Sequence, residues 1–574
     1  MQFLGLSSTC PIHLNNMPAV PNGVQSGFCH QSRPAWKLSG ILKRKKNRRL
    51  LTTVLATTLK SIGITRDPTD HSSEESLRPS AMVLPRDSLM VCGGATLSGH
   101  VHISGAKNSA LAVLAGTLCS AGISALQMIP DLHDTRTMME ILRSIGVEVK
   151  RSGSEVVVNT DCIKSVEPCS DAVRKLRASF LVIGPLLARH GEAHVALPGG
   201  CNIGARPIDL HLRGLQALGA HVEIRRWETG GYVSGKSPLY GDVSNQVSGA
   251  GYASESPVLV PRGWVRVPMQ PCWKGKVHAY AANGRRLVGG TFYLDYPSVG
   301  ATETLMMAAS LADGETTLSN VAQEPEVVDL AEYLIACGAC IHGAGTSTLT
   351  IKGMKKLYGA DFTIIPDRIE AGTFFIAAAI TRSSLSMSPV VPRHLSSVIG
   401  KLEYMGCKIQ HTGPDSLQII PSECCRGVDM TTLPYPGFPT DLQPQFMTLL
   451  ATCSGQSVVE ETVFEGRMRH VEELQKLGAK IRVSRNIAIV SGNDQGSSLY
   501  GVPVEATDLR AGAALILAGM AGEGTTHING VSHIDRGYEN IDAKLRALGA
   551  NIERLPRLPC DLTLQLRFEL GVLR

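Results

Sequence analysis

One spacing recurs six times along the chain: Leu, two variable residues, an apolar residue or Cys, Gly, two variable residues, then Ile or Val. It occurs at Leu142–Val149, Leu215–Val222, Leu334–Ile341, Leu402–Ile409, Leu474–Ile481 and Leu545–Ile552. The first two apolar positions are three residues apart and share one helix face. The glycine predicts the end of that helix, because Gly takes positive φ without steric cost. The last apolar residue then predicts a strand that begins within two residues. The glycines, Gly146, Gly219, Gly338, Gly406, Gly478 and Gly549, are 73, 119, 68, 72 and 71 residues apart. Six α/β units of about 70 residues follow, with about 48 extra residues between the second and third.

The extra residues fall at about 228–275. From Glu228 to Trp273 there is no clear period, and two of the four Trp lie there, Trp264 and Trp273. A structureless loop of that length is unusual inside a domain. The stretch reads as a disordered surface insertion or a gene-model artefact, in preference to a functional lid. The longest apolar runs, such as Ala511–Gly522, fall short of the roughly 18 residues a membrane span needs. They predict buried helices and no transmembrane anchor. The repeat also explains the one CxxC. Cys337 takes the apolar helix position, and Cys340 lies on the strand face opposite Ile341, so the pair predicts packing and not a metal or redox site.

Charged residues beside turns are what six repeats do not need. In Ile103–Leu111, Lys107 and Asn108 open a predicted helix, where an anion or a plain cap both fit. In Leu197–Leu210, three Gly in six residues let the backbone approach a ligand closely. Cys201 sits at the centre of that loop, and Arg206 beside it favours a thiolate or binds a phosphate. Further charged turns hold Arg177; Asp367, Arg368 and Glu370; Asp441; Glu465 and Arg467; Asp508 and Arg510; and Asp535, Arg536 and Glu539. Singly, each reads as a cap or a solvated salt bridge. Together, Lys107, Arg177, Arg206, Arg467, Arg510 and Arg536 supply enough cation to hold a compact polyanion, with phosphate or phosphate plus carboxylate the natural guess. No Walker A motif or HExxH occurs.

Charge changes the picture once it is divided. The 574 residues carry 56 Lys+Arg and 50 Asp+Glu, a net of +6, but no acid precedes Asp67. Residues 1–66 hold ten of the basic residues and 12 Ser+Thr, so 46 basic face 50 acidic residues in the remainder. The body is mildly acidic and gives no reason to expect nucleic-acid binding. The leader, drawn at 1–88, has the composition of an organellar transit peptide; its Lys43–Arg49 run also reads as a nuclear signal or a solvated tail. The 15 Cys show no framework spacing and imply free thiols in a reducing compartment.

The motifs SGAKNSAL, LPGGCNIGARPIDLH, SVGATET, EPEVVDLA, PDRIEAGTF, FPTDLQPQF, ATDLRA and HIDRGYE, in this order from about Leu89 to Arg554, resemble the UDP-N-acetylglucosamine 1-carboxyvinyltransferases, a family of enolpyruvyl transferases. The resemblance implies a two-domain inside-out α/β barrel of six repeated units. One domain would be 89–106 plus 367–556, and the other 107–366 with the insertion; 557–574 would be a C-terminal extension. It implies transfer of the enolpyruvyl group from phosphoenolpyruvate to the 3′-hydroxyl of UDP-N-acetylglucosamine, with release of phosphate. Asp441 would be the base and Cys201 the general acid, the thiol that fosfomycin would alkylate. Lys107, Asn108, Arg206, Arg467 and Arg536 would hold phosphoenolpyruvate, supported by Asp508 and Arg510. Arg177, Arg206, Pro207, Ile208, Asp209, Leu210, Tyr296, Pro297, Ser298, Val299, Asp441 and Val463 would hold the nucleotide sugar. No metal or organic cofactor, nucleic acid or membrane is implied, and the oligomeric state is left open, a monomer included.

Two positions depart from the family pattern: Tyr296 stands where Lys can occur, and Gly512 where Ser is frequent. An enolpyruvylshikimate phosphate synthase-like transferase is the alternative within the same fold, disfavoured by the Cys-bearing loop. A non-catalytic scaffold descendant is the alternative outside enzymes. A transit-like leader on a wall-synthesis enzyme points to a plastid, with the mitochondrion second.

Overall fold

All six cap glycines take positive φ, from 82° at Gly219 to 111° at Gly549. The computed structural model describes residues 87–199, 208–228, 231–235, 275–282, 286–492 and 499–555. A helix precedes each glycine and a strand follows it: Pro325–Ala336 and Cys340–His342 around Gly338, for example, or Ser396–Tyr404 and Lys408–Gly413 around Gly406. Both helical apolar positions are no more than 3% exposed in every copy. Cys337 is among them, whereas Cys340 is half-buried with its thiol 3.6 Å from His342 Nε2.

Each unit builds a four-stranded sheet. In one, Glu315–Ser319 runs parallel to Thr291–Tyr293 and antiparallel to Thr348–Lys352, which pairs in turn with Cys340–His342. The same plan places Ser416–Ile420 between Leu385–Ser388 and Lys408–Gly413, and Ile487–Ser491 between Gln456–Glu460 and Lys480–Ser484. In the last unit that inner position is filled from the far end of the chain. Ser88–Cys92 lies between Thr525–Asn529 and Ile552–Leu555. The first strand thus starts at Ser88, inside the leader drawn at 1–88; residues 1–86 lie outside the described residues, as does the extension at 557–574.

The insertion opens with order where irregular chain is expected. Gly231–Gly235 pairs antiparallel with Ala220–Glu228 and adds an edge strand to its sheet. The Tyr-Val-Ser alternation there is short enough to be masked by the Gly and Ser around it. Residues 236–274 lie outside the described residues.

Apolar side chains gather into two cores. One runs from Ala110 to Ile364; the other joins Leu89–Ile103 to Ile369–Ile552. At the centre of the second are three helices buried on nearly every face, Arg368–Ile380, Gln443–Leu450 and Leu509–Ala521. The last of these is the apolar run expected as a buried helix. No described helix is long and apolar enough to cross a membrane. The chain passes between cores twice, and the two crossings pair. Asp367 N–H donates to Ser104 O (2.9 Å) and Ala106 N–H to Ile365 O (2.8 Å). A Cβ on Gly105 would meet Met128 O at 1.8 Å, so only Gly lets this crossing lie against the end of strand Ile123–Gln127.

Candidate active site

Asp441 sits in the 3₁₀ turn Thr440–Leu442, just before the central helix Gln443–Leu450. The turn is fixed on both sides: Thr440 Oγ1 donates to Glu461 Oε2 (3.0 Å), and Gln445 Nε2 donates to the Asp441 carbonyl (3.1 Å). The Asp441 carboxylate accepts from Arg467 Nη2 and from Arg510 Nη2 (3.0 Å). The arginines are 2% and 1% exposed, whereas the Asp441 side chain is 26% exposed. Asp508 caps helix Leu509–Ala521 by accepting from the Arg510 and Ala511 N–H groups, at 2.8 and 3.1 Å, and lies 3.7 Å from Arg467 Nη1. Burial raises the proton affinity of Asp441. The charges of Arg510, Arg467 and Lys107 override that and hold its carboxyl well below the usual carboxylate range.

A second carboxylate holds the other cations. Asp134, in the first turn of helix His133–Ser144, accepts from Arg536 Nε at 2.8 Å and lies 3.5 Å from Lys107 Nζ. Lys107 is the first residue of helix Lys107–Gly116, beside the crossing at Gly105. Arg536 comes from the second core, so this contact spans the two. Glu539 reinforces it by accepting from Asp131 N–H (2.9 Å) and Ser104 Oγ (2.9 Å).

Asn108, the next residue, donates to Glu326 Oε1 at 3.5 Å. Glu326 also accepts from Arg368 Nη2 at 3.1 Å and Nε at 3.3 Å. Burial raises the Glu326 carboxyl, but Arg368 outweighs it, and the net is a lowered value. Glu324 accepts from the Tyr435 N–H (3.2 Å), and its other oxygen is buried without a hydrogen bond. Glu303, buried in helix Val299–Ala309, is pushed well above the ordinary carboxyl range by burial, then by Glu326 and Glu324.

The residues expected to hold a nucleotide sugar gather mainly in the first core. Ile208 and Asp209 open helix Asp209–Ala217, with Leu210 buried behind them, and Ser298 caps helix Val299–Ala309 through a 3.4 Å bond from Ala301 N–H. The two helix starts touch: a Cβ on Gly300 would lie 3.2 Å from His211 Cε1. Arg177 is close enough for its charge to join burial in holding His211 down to about 3. Tyr296 is pushed up to about 12 by burial, with Glu324 and Glu461 adding to it, which sets it beside the junction of the cores. Pro297 lies between Tyr296 and Ser298 in the half-buried approach to this helix. Val463, from the second core, donates its N–H to Glu461 Oε1 at 2.9 Å.

Asp441, Lys107, Arg467, Asp508, Arg510 and Arg536 therefore converge, with Asn108 alongside. Cys201, Arg206 and Pro207 lie outside the described residues. Sequence reasoning missed Asp134 and the roles of Glu461 and Glu303. Asp134 at a helix start reads as a cap, and its partner Arg536 is 402 residues away. Glu303 did leave a signal, a charged residue in an otherwise small and apolar helix. No group of three or more His, Cys, Asp or Glu able to hold a metal occurs among the described residues.

The family model described as EPSP synthase (3-phosphoshikimate 1-carboxyvinyltransferase) matches residues 91–248 and 272–545, breaking within the insertion. UDP-N-acetylglucosamine 1-carboxyvinyltransferase of Nostoc sp. is 48% identical over 473 residues, 82% of this chain and 95% of that protein. The protein of that name from Synechocystis sp. is 47% identical over 83% of this chain and 97% of its own length. Among solved structures, the enolpyruvyl transferase NikO from Streptomyces tendae superposes with a TM-score of 0.66 at 25% identity, covering 82% of this chain and all of that one. An EPSP synthase from Acinetobacter baumannii has a TM-score of 0.58 at 17% identity, over 82% of this chain and all of its own, and shares the fold.

Proposed function

The chain belongs to the EPSP synthase family, and from that membership we propose that it is a UDP-N-acetylglucosamine 1-carboxyvinyltransferase. It moves the enolpyruvyl group of phosphoenolpyruvate onto the 3′-hydroxyl of UDP-N-acetylglucosamine and releases phosphate, the first committed step of peptidoglycan precursor synthesis. The observation that carries this is identity of 46–48% across nearly the whole length of relatives bearing that name.

The reaction is addition followed by elimination. The sugar hydroxyl oxygen bonds to the central carbon of the donor as its proton leaves and a proton arrives at the methylene carbon. Loss of a proton from that carbon then expels phosphate. Cys201 is the acid of this reading and Asp441 the base. Asp441 as found is a poor base, because two buried arginines stabilise its charge. An anionic donor competes for the same guanidinium groups. As its phosphate and carboxylate draw Arg467 and Arg510 away, Asp441 loses its neutralising partners and gains proton affinity next to the alcohol. Lys107 and Arg536 are likewise stored on Asp134 until a stronger anion arrives. Arg177, Ile208–Leu210 and Tyr296–Val299 form the nucleotide-sugar side of the reading. Tyr296 supplies no charge there, so Ser298 and the helix start behind it carry that contact. The two cores, 107–366 and 89–106 plus 367–556, are then the two domains, and the leader directs the protein to a plastid.

Phosphate release from phosphoenolpyruvate tests the assignment. Release should require UDP-N-acetylglucosamine and be lost in Cys201→Ala and Asp441→Ala. The description of the matching family leaves one competitor: release that requires shikimate 3-phosphate would reassign the substrate. A fluorescent fusion of residues 1–90 that stayed in the cytosol would remove the plastid.

A further inference from the structure

Outside the candidate active site, the second core buries two thiols against each other. Cys407 follows the cap glycine Gly406 and enters strand Lys408–Gly413; Cys425 lies in the segment between strand Ser416–Ile420 and the short strand Met430–Thr431. They are 4% and 1% exposed, and their sulfurs are 4.0 Å apart. The other copies of the repeat place Val147, Ala220, Ala339, Ala479 and Ala550 at the Cys407 position, so packing there needs a small apolar residue and not a thiol. The environment is also asymmetric. The two thiols hydrogen-bond to each other, and the Arg382 guanidinium beside Cys425 favours its thiolate. Arg382 itself stands at positive φ (53°) just past helix Arg368–Ile380. Cys425 is flanked in the chain by the exposed Glu423, Cys424 and Arg426.

We propose that Cys407 and Cys425 form a reversible intramolecular disulfide, with Cys425 as the peroxide-reactive sulfur and Cys407 as the resolving one. The Cys425 thiolate attacks one peroxide oxygen; the S–O bond forms, the O–O bond breaks, and hydroxide leaves and is protonated to water. Cys407 then attacks the sulfenic sulfur. The S–S bond forms, the S–O bond breaks, and the second water departs with the Cys407 proton. Two thiols lose two electrons and hydrogen peroxide gains them. The sulfurs must close by about 2 Å to reach bonding distance. A dithiol reductant reverses the bond by exchange. The link ties the Gly406 turn to the segment that leads into the Asp441 turn, a closure of 18 residues along the chain.

The test uses the full chain treated with limiting hydrogen peroxide, alkylated, digested without reductant and read by mass spectrometry. A peptide linking Cys407 to Cys425, two hydrogens lighter and released by dithiothreitol, is the expected product. In Cys407→Ala the resolving thiol is gone, and Cys425 should be trapped by dimedone as the sulfenic acid. Oxidation confined to the exposed Cys162, Cys169 and Cys424 would overturn the proposal, as would pairing of Cys425 with the neighbouring Cys453. The readout is a covalent link and not turnover, so it is independent of the enolpyruvyl transfer reading.

Discussion

Asp441 and Glu303 are two acids of one site whose proton affinities are driven in opposite directions. Burial acts upward on both. Asp441 faces Arg510 and Arg467, which favour its ionised form; Glu303 faces Glu326 and Glu324, which disfavour its own. What differs is the sign of the nearest neighbours. The comparison teaches that the charges of the site are neutralised from within. Its cations rest on Asp441, Asp134 and Glu326, so an incoming polyanion exchanges partners and does not enter a bare positive field.

The sharpest way to break this picture is Asp441→Asn. It leaves Arg467 and Arg510 buried without their carboxylate, which should destabilise the fold by about 3–5 kcal/mol. Turnover should fall by roughly 100- to 1,000-fold, the usual scale for losing one preorganised electrostatic group. Thermal unfolding and steady-state kinetics check both. Turnover within a few-fold of the parent would mean that Asp441 merely stores charge. Next in size is Arg368→Met, which strips Glu326 of its partner across the cores. Glu326 should then join Glu303 and Glu324 as a third raised acid, with a stability loss of about 3 kcal/mol at neutral pH that shrinks in acid as Glu326 is protonated. A chemical-denaturation series from pH 5 to pH 8 reads it. A loss constant across that range would place the arginine's role in packing alone.

Asp134→Asn should follow, because the amide keeps one acceptor oxygen for the donors of Lys107 and Arg536. Its effect should appear as a change of about tenfold in the KM for phosphoenolpyruvate with a smaller change for the nucleotide sugar. Equal changes for both substrates would mean that the contact between Arg536 and Asp134 holds the cores and not the donor site.

These residues differ in how visible they are along the chain. Gly406 and its five counterparts are legible because helix termination at positive φ demands one residue type at a fixed offset. Asp441, Arg467 and Arg510 are legible as charges that a repeating core does not need. Asp134 is not, because a helix start accepts Asp for its own sake, and nothing local marks a partner on the far side of the fold. The strand Gly231–Gly235 is hidden for a related reason, since its pairing is supplied by Ala220–Glu228 and not by its own composition. Cys201 is legible as a loop thiol, although its distance from Asp441 is not a property of any local pattern.

Glu303→Gln gives the smallest effect and the cleanest contrast. A carboxyl whose folded value is raised is protonated in the folded chain and ionised in the unfolded one above about pH 4.3. The folded state therefore holds the extra proton, and stability falls as pH rises through that window. Glutamine removes this cost while keeping the shape, so the variant should be no less stable than the parent at pH 7, by a margin under about 1 kcal/mol. Its denaturation midpoint should also decline less between pH 5 and pH 8. Asp441 carries the opposite sign: its depressed value stabilises above about pH 3.9 and is lost as pH falls, so Asp441→Asn should flatten the acid limb and, while lowering stability at neutral pH, leave the slope of the neutral limb unchanged. If both variants flattened the same limb, the neighbours of the two acids would not be setting their charge, and exchange of cations onto the donor would lose its basis.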